Sequence, residues 1–352
     1  MKILHITSVT NPKGNGVAVA VSNYFFYEKK YVDVALYNVE NDIIQDNQSY
    51  NMSTYKSISK LPKGFNKPNL VIFNEVYKKA YLNLYKECIS NNIPYIVIPH
   101  GCLTKKSQNR KKIKKTIANF LFFNKFINNS LAVQYLNETE KEESIVKNHS
   151  FIISGNGIEV RKEKAFPFKS KNYVYIGRYD IKVKGLDLLV ETVSKNKEWF
   201  EKNKIIIDLY GRNTGKGYEW LKNVINSRKI NNFLILHDAV YGKEKESVIL
   251  NSYSFIQISR HEGQPMGIME ALSYGLPCIV TYGTTFGKYI NDNNCGIGIN
   301  FDSKELFNAI KKMYVDEKYR DYCSKNSKII KKEYDWDIVI KKCIAEYKKI
   351  IK

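Results

Sequence analysis

Apolar residues in this chain fall into short unbroken runs, and between the runs they recur every three or four positions. The runs at Lys2–Thr7, Val32–Tyr37, Leu70–Phe73 and Tyr95–Ile98 predict buried strands. Val17, Ala18, Val21, Tyr24 and Phe25 repeat at helical spacing after the first run, and a second helix is expected over Lys78–Asn91. Strand, helix, strand is the βαβ unit of a parallel sheet. The alternation resumes with strands at Tyr173–Ile176, Ile205–Tyr210 and Phe233–Leu236 and a helix from Leu186 to about Ser194. A further unit follows: a strand at Phe255–Ile258, a polar loop Ser259–Gly267, a helix through Met269, Ala271 and Leu272, and a strand at Cys278–Thr281. That helix stops at Gly275-Leu276-Pro277. Trp336, Val339, Ile340, Cys343, Ile344, Tyr347 and Ile351 mark a last amphipathic helix over 336–351. The pattern is α/β. Asn156-Gly157-Ile158 opens a polar, Lys-rich stretch over 159–172, where the boundary between two domains is expected.

Composition narrows this little. The 352 residues suit two domains of ordinary size, and 43% hydrophobic content is that of a globular protein. No apolar run approaches a membrane span, and the first run is too short for a signal peptide. Six cysteines (Cys88, Cys102, Cys278, Cys295, Cys323, Cys343) lack metal or disulfide spacing and read as reduced cytosolic thiols. The net charge of +21 divides into +9 over residues 1–160 and +12 over the rest, so the excess is spread through the chain and points weakly to nucleic acid.

Candidate chemistry concentrates after the Phe255 strand. Ligands of parallel sheets bind beyond the carboxyl ends of the strands, and Glu262 lies in the loop there, with Glu270 expected in the first turn of the helix. Gly263 and Gly267 allow close backbone approach, and a helix amino terminus favours a phosphate. Carboxylates suit sugar hydroxyls, which donate to them. A phosphate-friendly loop flanked by two Glu residues therefore points to a nucleotide-sugar. The alternative is that Glu270 only complements the helix dipole and Glu262 is solvated.

Glu262-Gly263-x-Pro265-x-Gly267-x-x-Glu270-Ala271, followed by Gly275-x-Pro277, resembles the E-x7-E signature of glycosyltransferase family 4. The resemblance implies a retaining enzyme of the GT-B fold: two Rossmann-like domains facing a central cleft, with a terminal helix crossing back to the first. The expected division is 1–158 on the acceptor side, 159–335 on the donor side, and 336–352 returning. It extends to Gly177-Arg178 after the Tyr173 strand and to Lys184-Gly185 before the next helix. There Arg178 and Lys184 are implied to hold the leaving diphosphate. Gly14-x-Gly16 lacks the third glycine of a dinucleotide fingerprint, yet in the family a glycine loop here faces the cleft. His100, closing the Tyr95 strand at Pro99-His100-Gly101, is implied to reach the donor sugar; on its own it reads as structural or exposed. Gly211, after the Ile205 strand, is implied to bind the donor, and His237 begins the loop after the Phe233 strand, where the family cradles the base. Gln264, Pro265 and Met266 complete the donor loop.

One charge feature stands apart. Lys105, Lys106, Arg110, Lys111, Lys112, Lys114 and Lys115 contain no acid among them, and Ile113, Ile117, Phe120, Leu121 and Ile127 then mark an apolar helical face, with Phe122, Phe123 and Phe126 beside it. Such a helix over 105–127 can lie on an anionic membrane surface, or it can be core-packed with a basic solvated side.

Together these readings describe a metal-independent retaining glycosyltransferase without cofactor. It moves a hexose or N-acetylhexosamine from a nucleotide diphosphate sugar, a UDP-sugar first among the candidates, to a glycan or lipid-linked acceptor in cell-surface polysaccharide synthesis. The expected location is cytoplasmic or peripheral on the inner membrane face. The chain's Asp-x-Asp, Asp335-Trp336-Asp337, falls at the start of the last amphipathic helix, and no His/carboxylate cluster offers a metal site. In these assignments Glu262 orients the sugar and Glu270 the ribose. The rivals are a non-hydrolysing nucleotide-sugar epimerase of the same fold, whose acid and base residues are not evident, and a nucleic-acid binder using 105–115.

Overall fold

Parallel strands buried on both faces need apolar side chains in both directions, and the runs read from the sequence supply them. The computed structural model describes residues 1–8, 16–40, 46–109, 111–159 and 171–352. The chain divides into one unit of Met1–Gly157 with Trp336–Lys352, and a second of Ile158–Asp335. Ile158 itself groups with the second, its N–H donating to Tyr334 O at 2.7 Å.

The first unit holds strands β1 (Lys2–Thr7), β2 (Asp33–Asn38), β3 (Ser49–Asn51), β4 (Leu70–Asn74), β5 (Tyr95–Ile98), β6 (Ala132–Tyr135) and β7 (Phe151–Ile153). All pairings are parallel, in the order β3-β2-β1-β4-β5-β6-β7. Its helices are α1 (Gly16–Glu28), α2 (Tyr81–Ser90), α3 (Lys105–Asn109), α4 (Lys112–Ala118), α5 (Asn124–Asn128) and α6 (Glu138–Glu143). Alternate residues of each strand face opposite sides. Leu4, Ile6, Val71 and Phe73 join one core. Ile3, Leu70 and Ile72 join another, beneath α1 and the terminal helix Trp336–Ile351. Trp336 stacks on Tyr27 at 5.5 Å and meets Tyr24 edge-on at 5.3 Å. A side chain at Gly157 would strike Trp336 Cα at 2.8 Å, so glycine is what lets the two crossing strands of chain touch.

The second unit holds β8 (Tyr173–Ile176), β9 (Ile207–Tyr210), β10 (Leu234–His237), β11 (Ser254–Gln257), β12 (Cys278–Thr281) and β13 (Gly296–Ile299), again all parallel, in the order β10-β9-β8-β11-β12-β13. Its helices are α7 (Ile181–Lys184), α8 (Leu186–Lys195), α9 (Lys197–Asn203), α10 (Lys216–Ser227), α11 (Gly242–Leu250), α12 (Met266–Ser273), α13 (Phe286–Asp292), α14 (Ser303–Val315), α15 (Glu317–Asn326) and α16 (Ile329–Tyr334). In each sheet the strand order reverses once, between β1 and β4 and between β8 and β11. At such switch points the loops diverge and leave a crevice for ligand.

Several local expectations shift. Helix α2 starts at Tyr81 rather than Lys78, because a turn closed by Lys78 N–H on Val76 O comes first. The loop before Lys184-Gly185 is a one-turn helix, α7, capped by Asp180. His237 ends strand β10 instead of lying in the loop beyond it. The basic segment is not one helix: α3 and α4 are followed by a wide π-type turn, Asn119–Phe123, and then α5. Arg110 of that segment lies outside the described residues. Among the described residues no helix is long and apolar enough to cross a membrane.

Candidate active site

The carboxyl end of β8 is built to project charge. Beyond Ile176, Gly177 sits where a Cβ would meet the Tyr175 hydroxyl at 2.7 Å, and that hydroxyl donates to Arg178 O at 2.8 Å, leaving the Arg178 side chain exposed. Asp180 accepts from Val183 N at 3.1 Å to start α7, and Gly185, at φ +69, ends it. A side chain at Gly185 would run into Ile258 O at 2.1 Å, so the turn packs directly on the end of β11. Arg260 clamps the same turn. It forms a forked pair with Asp187 (2.8 and 2.6 Å), donates to Lys182 O at 2.9 Å and lies over the Phe301 ring.

These contacts bring Lys184 to Glu262. Lys184 Nζ donates to Glu262 Oε1 at 2.7 Å, with 13% and 20% of the two side chains exposed. The other carboxylate oxygen accepts from Ser259 Oγ at 2.9 Å and from Gln257 Nε2. Glu262 N–H donates to Gly283 O at 3.1 Å, and Thr285 Oγ1 donates to Gly263 O at 2.7 Å, which ties the loop to the end of β12. Burial, then the nearby Glu262 charge, pushes the Tyr175 hydroxyl well above its ordinary pKa, so it stays protonated beside the site. Glu262 is not a solvated loop carboxylate; it is pre-oriented on three sides. Its remaining acceptor capacity can serve hydroxyls of a sugar.

Glu270 is the fifth residue of α12 and stands in the second turn, not the first. The helix begins directly after Pro265, whose carbonyl accepts from Ile268 and Met269, so Gln264 and Pro265 form the turn that opens it and Met266 is its first residue. One turn in, Glu270 is poorly placed to complement the dipole. It is paired instead with Lys245 of α11. Gly263 has open space where a Cβ would stand, whereas a Cβ at Gly267 would meet Phe255 Cζ at 3.1 Å. Gly211 is buried; a side chain there would strike Gly177 O at 2.6 Å and the Tyr179 ring. His237 stacks on Tyr210 at 4.5 Å and 12° and bonds Asp208 Oδ1 at 2.7 Å, while Asn172 holds Asp208 Oδ2 at 2.8 Å.

In the first unit His100 sits just past β5 with φ +48, a left-handed conformation rare for a residue with a Cβ. Its Nε2 lies 3.2 Å from Asn74 Oδ1. Burial first, and the neighbouring His5 second, pull its pKa down to about 4, so the ring is neutral at physiological pH. Gly16 opens α1 and is exposed; Gly14 lies outside the described residues. Lys245, Arg260, Gln257 and Ser259 went unread in the sequence. Gln257 alone carried a signal, as a polar residue facing into an otherwise apolar strand. Among the described residues no three His, Cys, Asp or Glu side chains gather where a metal ion could bind.

Residues 158–329 match the family model of the glycosyl transferases group 1. A search of curated proteins finds no match. Among solved structures, a sucrose-phosphate synthase from Thermosynechococcus elongatus matches 99% of this chain over 98% of its own, at 13% identity and TM-score 0.76. The Anabaena protein HepE, in complex with UDP-glucose, matches 99% of each chain at 14% identity and TM-score 0.76. The lipopolysaccharide outer core galactosyltransferase WaaB matches 99% of this chain and 100% of its own at 15% identity and TM-score 0.69. At such identities the likeness establishes the fold, which is GT-B.

Proposed function

We propose that this chain, a glycosyltransferase whose second unit belongs to the glycosyl transferases group 1, moves a hexose or N-acetylhexosamine from a nucleotide diphosphate sugar with retention of configuration. The observation that carries the reading is the Lys184–Glu262 pair at the β8/β11 switch point, where a cation and an oriented carboxylate stand side by side. Such a pair suits the junction between diphosphate and sugar. Glu262 accepts from the sugar hydroxyls and fixes the anomeric carbon. Lys184 and Arg178 face the diphosphate, which gains negative charge as the anomeric C–O bond breaks. Glu270 takes the ribose hydroxyls, His237 lies beside the base, and His100 contacts the sugar from the first unit. With two cations assigned to the leaving group, the reaction is metal-independent in this reading. Uracil is the first candidate base, since HepE was solved with UDP-glucose.

The acceptor is a glycan or lipid-linked sugar of a cell-surface polysaccharide, met at an anionic membrane. The segment 105–123 supports this. Helix α4 has no buried residue, and Ile113 and Phe120 are 77% and 81% exposed, among Lys111, Lys112, Lys114 and Lys115. Phe123, Phe126 and Ile127 turn inward and anchor the segment to the core. Thermal stabilisation by a panel of nucleotide-sugars, with and without EDTA, tests the donor and the metal reading together. A reproducible shift with one base and sugar in EDTA is expected. No shift with any of them, or a shift only with added Mg²⁺ or Mn²⁺, overturns it.

A further inference from the structure

Behind His100 lies a buried polar chain that packing alone does not require. Glu28, His5 and Asn74 have no exposed surface, and they come from three elements: the end of α1, the middle of β1 and the end of β4. Asn74 Nδ2 stands 3.2 Å from Ile6 O and 3.4 Å from His5 Nδ1, and His5 Nε2 stands 2.8 Å from Glu28 Oε2.

The carbonyl of Ile6 can only accept, so it fixes which way the Asn74 amide faces. The amide NH₂ turns to Ile6 O and His5 Nδ1, and the amide oxygen turns to His100. A proton on His5 Nδ1 would confront that NH₂, and flipping the amide would set its oxygen against Ile6 O. His5 therefore carries its proton on Nε2, towards Glu28. By the same logic His100 must donate from Nε2 to Asn74 Oδ1. All three donors point the same way, towards a buried carboxylate, and hydrogen bonds aligned in series strengthen one another. What remains at the open end is His100 Nδ1, a lone pair with no partner among the described residues.

We propose that Asn74, His5 and Glu28 are positioning residues that lock His100 into its Nε2–H tautomer, so that Nδ1 can only accept a hydrogen bond. The group His100 meets must then be a donor: a hydroxyl of the sugar, not a phosphate oxygen. The hydroxyl rests on the placement of His100 at the donor sugar; the tautomer does not. The left-handed backbone at His100 serves the same end, being held by Gly101 N–H on the buried Glu140 carboxylate.

The test is the ring-nitrogen ¹⁵N spectrum of the full-length protein labelled at histidine, with the His100 signals identified by their loss in His100→Gln. A single neutral tautomer protonated on Nε2 is expected; protonation on Nδ1 overturns the proposal. Asn74→Leu removes the only acceptor for Nε2–H among the described residues, and should give mixed tautomers and a kcat lower by about tenfold, the lower end of what losing the partner of a metal-ligating histidine costs. Binding of free UDP, which lacks the sugar, should stay unchanged. Unaltered tautomer and kcat in a folded Asn74→Leu protein would also overturn the proposal. If that variant does not fold, Glu28→Gln keeps an acceptor for His5 and should leave the tautomer as in the wild type; a switched tautomer there counts against the chain. Full turnover in His100→Ala would remove the sugar contact and its hydroxyl while leaving the spectrum as predicted, so the two failures are distinguishable.

Discussion

Lys184 and Glu262, 78 residues apart in sequence, share a hydrogen-bonded ion pair at 2.7 Å. In the proposed reading the lysine would meet a diphosphate with part of its charge engaged by Glu262, and the carboxylate would meet a sugar with its orientation fixed by Lys184 and Ser259. Preorganisation of this kind spares the site reorganisation at the moment of reaction.

Lys184→Ala and Arg178→Ala should each lower turnover at saturating donor by about 10²–10³, the usual effect of removing one preorganised group opposite developing charge. Their effects on stability should differ. Arg178 is exposed and its loss should leave Tm nearly unchanged, whereas Lys184→Ala strands a partly buried carboxylate and should cost about 1–2 kcal/mol. Steady-state kinetics and thermal melts of both variants decide this; near wild-type turnover in both sinks the leaving-group assignment.

The two carboxylates should separate in kinetics. In the proposed reading Glu270, at the ribose, would supply binding common to ground and transition states, while Glu262, at the transferred sugar, would act where charge develops. Glu270→Gln should weaken calorimetric affinity for the free nucleotide diphosphate. Glu262→Gln should keep that affinity and lower kcat. The opposite pattern would mean that the roles are exchanged.

Exposed apolar residues beside lysines should bind membrane without supporting the fold. Ile113→Ser with Phe120→Ser should change stability by no more than about 0.5 kcal/mol, as at other solvated positions. The pair should nevertheless reduce sedimentation with anionic liposomes, and Lys111, Lys112, Lys114 and Lys115 changed together to Gln should do the same in a salt-dependent way. Undiminished liposome binding in both variants counts against a membrane role for 105–123.

His100 should leave its mark on stability at low pH. Its folded pKa of about 4 lies below the ordinary 6.5, so between these values the unfolded chain binds more protons and stability falls as pH falls. Urea midpoints at pH 7 and pH 4.5 should drop less in His100→Gln than in the wild type. Equal drops would show that the ring is not neutral through that window.

Much of the architecture was legible because strand burial writes itself as short apolar runs. Tyr95–Ile98, Tyr173–Ile176 and Cys278–Thr281 need no partner to be recognised. Strand β3 was not legible: Ser49–Asn51 is a polar edge held by β2, and nothing in three residues announces that. Helix α7 was hidden because one turn is too short to show a period. The motif residues Glu262 and Glu270 could be read from spacing, but their ion partners could not. Lys184 was marked by its motif but not as the partner of Glu262, and Lys245 looks like any of the chain's other lysines until folding places it beside a carboxylate. The Glu28–His5–Asn74 chain is the extreme case, since each link spans strands or helices far apart in sequence.

The return of Trp336–Ile351 to the first unit makes the second an insertion. Ile158 and Asp335, its two ends, lie side by side as bridge partners. A ribosome therefore delivers the pieces out of order. Ile158–Asp335 is contiguous and can fold as soon as it has emerged, whereas the first sheet must wait, with the apolar surface around Val21, Tyr24 and Tyr27 uncovered, until its last helix has been made. Premature truncation before residue 336 should thus spare the inner module and leave the outer one dependent on chaperones. The adjacent ends also mark Ile158–Asp335 as a cassette that can be excised or exchanged whole.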